Sequence, residues 1–188
     1  MILPPINFKN WIESNRDLLK PPVCNKVVYE DTEFIIMVVG GPNTRKDYHV
    51  DEGEEFFYQL EGKMILRTIQ DNAPKDIHIN EGEIFLLPSK VPHSPQRFKN
   101  SVGLVIERKR TKEELDGFQW YCDQCNNLLY ETFFPLTDIV KDLPIVFDKF
   151  WSNIDSRTCK ECGDVLEKYY HVENRYPHTY YTRKLTRF

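Results

Sequence analysis

The chain has 188 residues, with 25 Lys and Arg against 29 Asp and Glu, and a formal net charge of −4. That length can bury one good core with a small appendage, and the mild negative charge, spread through the body, leaves no nucleic-acid footprint. No apolar run is long enough to span a bilayer.

The first residues, MILPPINFKNWIES, lack the basic start, apolar stretch and small-residue cleavage site of a signal peptide, so a cytoplasmic protein is expected. In a reducing compartment, five cysteines point to metal ligation or free thiols rather than disulfides. Residues 7–20 read as a short amphipathic helix. Asn7 can cap it, Phe8, Trp11, Ile12 and Leu19 fall near one face, and Pro21-Pro22 stops it. Short β runs follow at Glu33–Val39, Glu54–Leu60, Lys63–Ile69, Asp76–Ile79, Glu83–Leu87 and Val102–Glu107. They are rich in Ile, Val, Phe and Tyr and are separated by the turn signals GGPN, EGK, DNAPK, NEGE and KNS. Many short strands at close spacing predict a mainly β sandwich or barrel. The charged stretch ERKRTKEELDG, 107–117, reads as its boundary.

The predicted organisation is therefore a barrel with its N-terminal helix over 1–110, a metal-binding module over 111–170 and an aromatic, basic tail over 171–188. In the module, DLPIVFDKFW offers Ile145, Val146, Phe150 and Trp151 for packing. Cys24 reads as a small core residue, with a place near the pocket mouth as the alternative.

Three residues carry the chemistry. His49 is followed by Glu55 and then Gly62; Gly82 and Pro88 precede His93. Strand residues of one face recur every second position. A bend at 51–53 lets His49 and Glu55 converge, while His93 enters from a neighbouring hairpin. Two imidazoles and one carboxylate suit a non-haem Fe(II) with open positions for substrate and dioxygen, and predict an oxygenase. Asp51 is a weaker ligand candidate, because Glu52 and Glu54 suggest a wet, acidic turn. Arg45 and Arg97 bracket the triad, four residues before His49 and four after His93. Paired arginines at a metal pocket suggest an anionic substrate, gripped through its carboxylate. Glu107 ends the apolar strand VGLVI, where a carboxylate could accept a substrate proton. For each of these three a surface salt bridge, Arg97 with Glu107 for instance, is the competing reading.

Cys122-x-x-Cys125 and Cys159-x-x-Cys162 are two knuckles of identical spacing. Asn126 and Gly163 follow each second cysteine and tolerate the left-handed backbone that turns amides toward the sulfurs. Four thiolates so arranged make a closed tetrahedral site for Zn or Fe, expected to be structural.

The His49-x-Asp51, Glu55, Gly62 and Gly82, Pro88, His93 spacings resemble the two cupin motifs, with Asp51 in place of a second histidine. With PPVCNK, GGPNTRKDYHVDEGEEFFYQLEG, LLPSKVPHSPQR and the four paired cysteines, the chain resembles the 3-hydroxyanthranilate 3,4-dioxygenases, in the form carrying a rubredoxin-like second metal site. The resemblance implies a cupin (double-stranded β-helix or jelly-roll) barrel with short helices and a small C-terminal four-cysteine module. It implies catalytic Fe(II) on His49, Glu55 and His93, and substrate contacts from Asn25, Arg45, Glu55, Arg97 and Glu107. It places a second metal, Fe or Zn, on Cys122, Cys125, Cys159 and Cys162. It implies a homodimer acting on 3-hydroxyanthranilate and O2 to give 2-amino-3-carboxymuconate semialdehyde, on the kynurenine route to quinolinate and NAD. The charge distribution and the lack of a spanning run add the expectation of no nucleic-acid or membrane partner. Two other readings stay open here: another cupin oxygenase acting on a small anion, and a non-catalytic, metal-stabilised small-acid-binding module.

Overall fold

The computed structural model describes residues 4–21, 24–137 and 139–168; the tail expected at 171–188 lies outside them. The N-terminal helix forms as α1 (Phe8–Asn15) and continues as a 3-10 turn through Arg16–Leu19. Asn7 Oδ1 accepts from the Asn10 amide at 3.0 Å, satisfying one of the helix's orphan donors. Ile12 and Leu19 bury against Val38 and Val102, with Phe8 and Trp11 alongside.

The body is two antiparallel sheets. One holds five strands in the order β1 (Asn25–Val27), β2 (Phe34–Gly40), β9 (Val102–Arg108), β4 (Glu55–Glu61) and β7 (Ile84–Leu87). The other holds six, in the order β11 (Leu128–Phe134), β10 (Asp116–Tyr121), β3 (Asp47–Val50), β8 (His93–Arg97), β5 (Met64–Gln70) and β6 (Ala73–Ile79). The six β runs legible in the sequence are all present, within three residues at each end. Five further strands join them. Two of these, DYHV in β3 and HSPQR in β8, are short and polar because they carry site residues, which erases the alternation that betrays a half-buried strand.

Pairing continues past the charged stretch where the sequence places the barrel edge. β10 begins at Asp116 and hydrogen-bonds to β3, with Phe118 opposite His49 and Trp120 opposite Asp47. The stretch is not a solvated linker: Arg108 pairs with Glu114, and Arg110 turns inward onto buried carboxylates.

Phe57, Met64, Leu66, Ile79, Leu87 and Val105 form the core between the sheets. Burying each such side chain is worth about 1.5–3 kcal/mol. A second cluster centres on Trp120, stacked on Phe150 at 4.3 Å between ring centroids. Helix α2 (Ile139–Trp151) packs Leu143, Val146, Phe147, Phe150 and Trp151 there. Ile145, expected in this packing, is 70% exposed, because it falls off the i, i+3, i+4 stripe that those five residues define. Cys24 is likewise not a core residue: it is half-buried, at positive φ, with Sγ 3.9 Å from the Pro42 carbonyl oxygen. Among the described residues, no helix is long and apolar enough to cross a membrane.

Candidate metal centre and substrate pocket

His49 and His93 face each other directly across the β3–β8 pair, and Glu55 comes from the opposite sheet, beside Glu107 on β9. Glu55 Oε1 lies 2.9 Å from His93 Nε2 and 3.6 Å from His49 Nδ1. The remaining ring nitrogens are engaged elsewhere. His93 Nδ1 is 3.0 Å from the Val91 carbonyl oxygen, which can only accept, so Nδ1 carries a proton and Nε2 is the ring nitrogen that faces Glu55. His49 Nε2 is 2.6 Å from Asp116 Oδ1, which leaves Nδ1 to face Glu55.

Glu55 Oε1 is buried and receives no hydrogen bond. Three electron-rich atoms, all within 4.8 Å of one another, therefore point at a common space. Such a set needs positive charge. Burial opposes the imidazolium of His49, yet Asp116 and Glu55 outweigh it and raise its pKa to about 9. Burial also opposes the Glu55 carboxylate, but the two histidines hold it well below the usual carboxylate range. A proton serves this purpose when no metal is bound, and a divalent cation can exchange for it. Donor identity, convergence and the orphaned oxygen all fit a two-histidine, one-carboxylate metal site.

Asp51 is 5% exposed, which overturns the wet turn read from its neighbours. Its Oδ1 accepts from the Gly53 amide at 2.9 Å, and its Oδ2 is 2.8 Å from Arg110 Nη2. It thus serves the turn and an ion pair.

Arg97 shares a strand face with His93 and is 2% exposed. Its Nη1 has no hydrogen-bond partner, and burial lowers its pKa to about 10 even though Glu55 supports the charge. Position 103 is glycine for a steric reason: a β-carbon there would stand 2.6 Å from Arg97 Nη1 and 3.1 Å from Gln59 Oε1. Asn25 lies exposed on β1, opposite Val39, which in turn is opposite Gly103. It therefore occupies the same cross-strand row.

Arg45 is held at both ends. Its guanidinium pairs with Asp47, and its backbone N–H and C=O both bond the buried side chain of Gln96, at 3.2 and 3.0 Å. Glu107 does not pair with Arg97; its Oε1 is 2.6 Å from Arg110 Nη1. Burial and the nearby Glu55 push the Glu107 pKa up despite Arg110, which suits a group that takes up a proton.

The four cysteines also converge. Cys122 Sγ is 3.5 Å from Cys162 Sγ, and Cys125 Sγ is 3.5 Å from Cys159 Sγ. This is far beyond a disulfide bond and close to the edge of a tetrahedron with bonds of about 2.3 Å. Both knuckles turn as their sequences predict, with Asn126 at φ 61° and Gly163 at φ 75°.

Asp47, Gln96, Gly103, Arg110 and Asp116 escaped the sequence reading. Asp47 and Asp116 had a usable signal, since each shares strand parity with a site or core residue, His49 and Phe118 respectively. Arg110 had none within its run of charges.

Residues 1–151 match the family model described as 3-hydroxyanthranilic acid dioxygenase. A 3-hydroxyanthranilate 3,4-dioxygenase of Xanthomonas euvesicatoria pv. vesicatoria (strain 85-10) is 56% identical over 177 residues, covering 93% of this chain and 100% of that protein. One from Jannaschia sp. (strain CCS1) is 53% identical over 164 residues, covering 87% and 91%. Among solved structures, a cupin-2 domain containing protein from Shewanella frigidimarina NCIMB 400 covers 56% of this chain and 94% of its own, at 21% identity and a TM-score of 0.43.

Proposed function

This chain belongs to the 3-hydroxyanthranilic acid dioxygenase family, and from that premise we propose that it opens the ring of 3-hydroxyanthranilate with O2, yielding 2-amino-3-carboxymuconate semialdehyde. The observation that carries this reading is the convergence of His49 Nδ1, Glu55 Oε1 and His93 Nε2, with the second ring nitrogens engaged by Asp116 and by the Val91 carbonyl oxygen. These residues would hold Fe(II). Bound there, the metal supplies a common site for dioxygen and the neighbouring amine and hydroxyl of the substrate, which lowers the entropic barrier to their reaction.

The protein's own groups do the rest. Arg97 offers a buried, unpartnered donor, and a carboxylate meeting it would relieve a desolvated charge. Arg45, fixed by Asp47 and Gln96, supplies a second cation, and Asn25 stands at the end of the same row as Gly103. Glu107, its pKa raised by burial, accepts the proton that the substrate hydroxyl releases. Phe118 stacks on the His49 ring at 5.0 Å and keeps that side of the site dry.

The four-cysteine site is a closed structural centre for Fe or Zn in this reading. In this reading the product cyclises to quinolinate on the kynurenine route to NAD, and the enzyme works in the cytoplasm. A second copy of the chain would cover the outer face of the five-stranded sheet, where Phe34, Ile84 and Leu86 are exposed beside Phe56 and Ile106.

The reading is tested by adding 3-hydroxyanthranilate in air to protein loaded anaerobically with Fe(II), and following the absorbance of the ring-opened product. Product formation that requires the iron is expected. Its absence from folded, iron-loaded protein overturns the proposal.

A further inference from the structure

Arg110 follows the last residues of β9 and is 11% exposed at its side chain. Its guanidinium meets three buried carboxylates from three places in the chain. Nη1 is 2.6 Å from Glu107 Oε1 on β9. Nη2 is 2.8 Å from Asp51 Oδ2 in the turn after β3 and 3.0 Å from Asp116 Oδ1 on β10. Nε reaches both oxygens of Asp116 at 3.2 Å. Asp116, 1% exposed, is in turn the partner of His49 Nε2 at 2.6 Å.

A stabilising ion pair needs one partner, and burying such a pair often gains nothing over an apolar replacement. Here one cation serves acids from both sheets, and two of those acids touch the reaction site. The guanidinium fork hydrogen-bonds Glu107 and Asp116 at once while standing in an ion pair with Asp51, and an ammonium lacks that fixed planar geometry. Partners of a metal-binding histidine's second nitrogen fix its ring and tautomer. Glu107, without Arg110, would be free to swing toward Glu55 or protonate.

Resting on the dioxygenase reading above, we propose that Arg110 is a positioning residue that sets both halves of the site at once. Through Asp116 it fixes the ring of His49 for metal binding, and directly it aims the Glu107 carboxylate at the substrate. Asp116 serves the metal half alone.

The test compares Arg110→Lys, Asp116→Asn and Glu107→Gln with the parent. Iron affinity at the His-Glu-His site is read by anaerobic Fe(II) titration against a chelator, with the cysteine-site metal counted separately. Steady-state kinetics on 3-hydroxyanthranilate and thermal melting complete the comparison. Arg110→Lys should weaken iron binding about 10–100-fold and lower kcat even at saturating iron. Asp116→Asn should lose iron affinity by a similar factor with KM unchanged. Glu107→Gln should lower kcat with iron affinity unchanged. Added guanidinium should partly restore iron affinity to Arg110→Ala.

Iron affinity within about twofold of the parent in both folded Arg110→Lys and Asp116→Asn overturns the proposal. So does a lower melting temperature with unchanged iron affinity and no guanidinium rescue. If Arg110→Lys fails to fold, the isosteric Asp116→Asn decides by the same criterion. The iron titration needs no turnover, so a parent that binds iron but leaves 3-hydroxyanthranilate intact counts against the function, not against this role of Arg110.

Discussion

Gly103 leaves the space that Arg97 fills: a β-carbon at position 103 would stand 2.6 Å from Arg97 Nη1. Arg97 is buried, so its guanidinium can yield only by shifting within the site, not by swinging out to solvent. Gly103→Ala should therefore push the guanidinium off its position and raise KM for 3-hydroxyanthranilate. Losing one charge-assisted hydrogen bond is worth about 1.5–3 kcal/mol, or about 10–100-fold in affinity. Anaerobic substrate titration alongside metal analysis checks this; the iron content should stay at the parent's level.

Replacing Arg97 itself should separate stability from function. A buried guanidinium with an unpartnered Nη1 is costly, so Arg97→Met should melt no lower than the parent while binding substrate far more weakly. A variant that binds substrate normally but loses iron would contradict a role in holding the carboxylate.

His49→Ala or Glu55→Ala removes one of three converging ligand atoms. Either should abolish turnover through loss of iron at that site while the four-cysteine metal stays bound. Metal analysis with assays at added Fe(II) checks both halves. Full activity in one variant would exclude that residue as a ligand.

The cysteine site should behave in the opposite way. Replacing Cys122 and Cys125 by Ser should remove one metal per chain and lower the melting temperature, since metal binding contributes to folding such modules. Turnover of the folded protein should change little. A well-folded variant without activity would point instead to communication between the two centres, for which β10, running from Asp116 to Tyr121 just before Cys122, is the physical link.

Leu86 on edge strand β7 is 53% exposed on the outer sheet face. If a second copy covers it, Leu86→Lys should convert a dimer to a monomer in sedimentation equilibrium without altering iron binding. A parent that sediments as a monomer would refute the dimer.

How far the sequence carried these conclusions depended on where alternation survived. The apolar strands around Phe57, Leu66 and Val105 were legible because their side chains face a dry core on one side only. The triad was legible because His49, Glu55 and His93 keep fixed distances from Gly62, Gly82 and Pro88. Strands β3 and β8 were not, since His49 and His93 occupy positions where apolar residues would have marked the pattern. Arg110 and Asp116 were hidden for another reason. In ERKRTKEELDG every residue looks solvated, and only the pairing of β10 with β3 shows which of those charges turns inward.

The central claim, iron-dependent ring cleavage, is tested most directly by oxygen uptake during turnover of 3-hydroxyanthranilate, with the ring-opened product measured in the same sample. The account predicts that oxygen and substrate disappear mole for mole, that a chelator which strips the iron stops both, and that added Fe(II) restores them. Substrate consumed without oxygen, or no uptake by folded and iron-loaded protein, would contradict it.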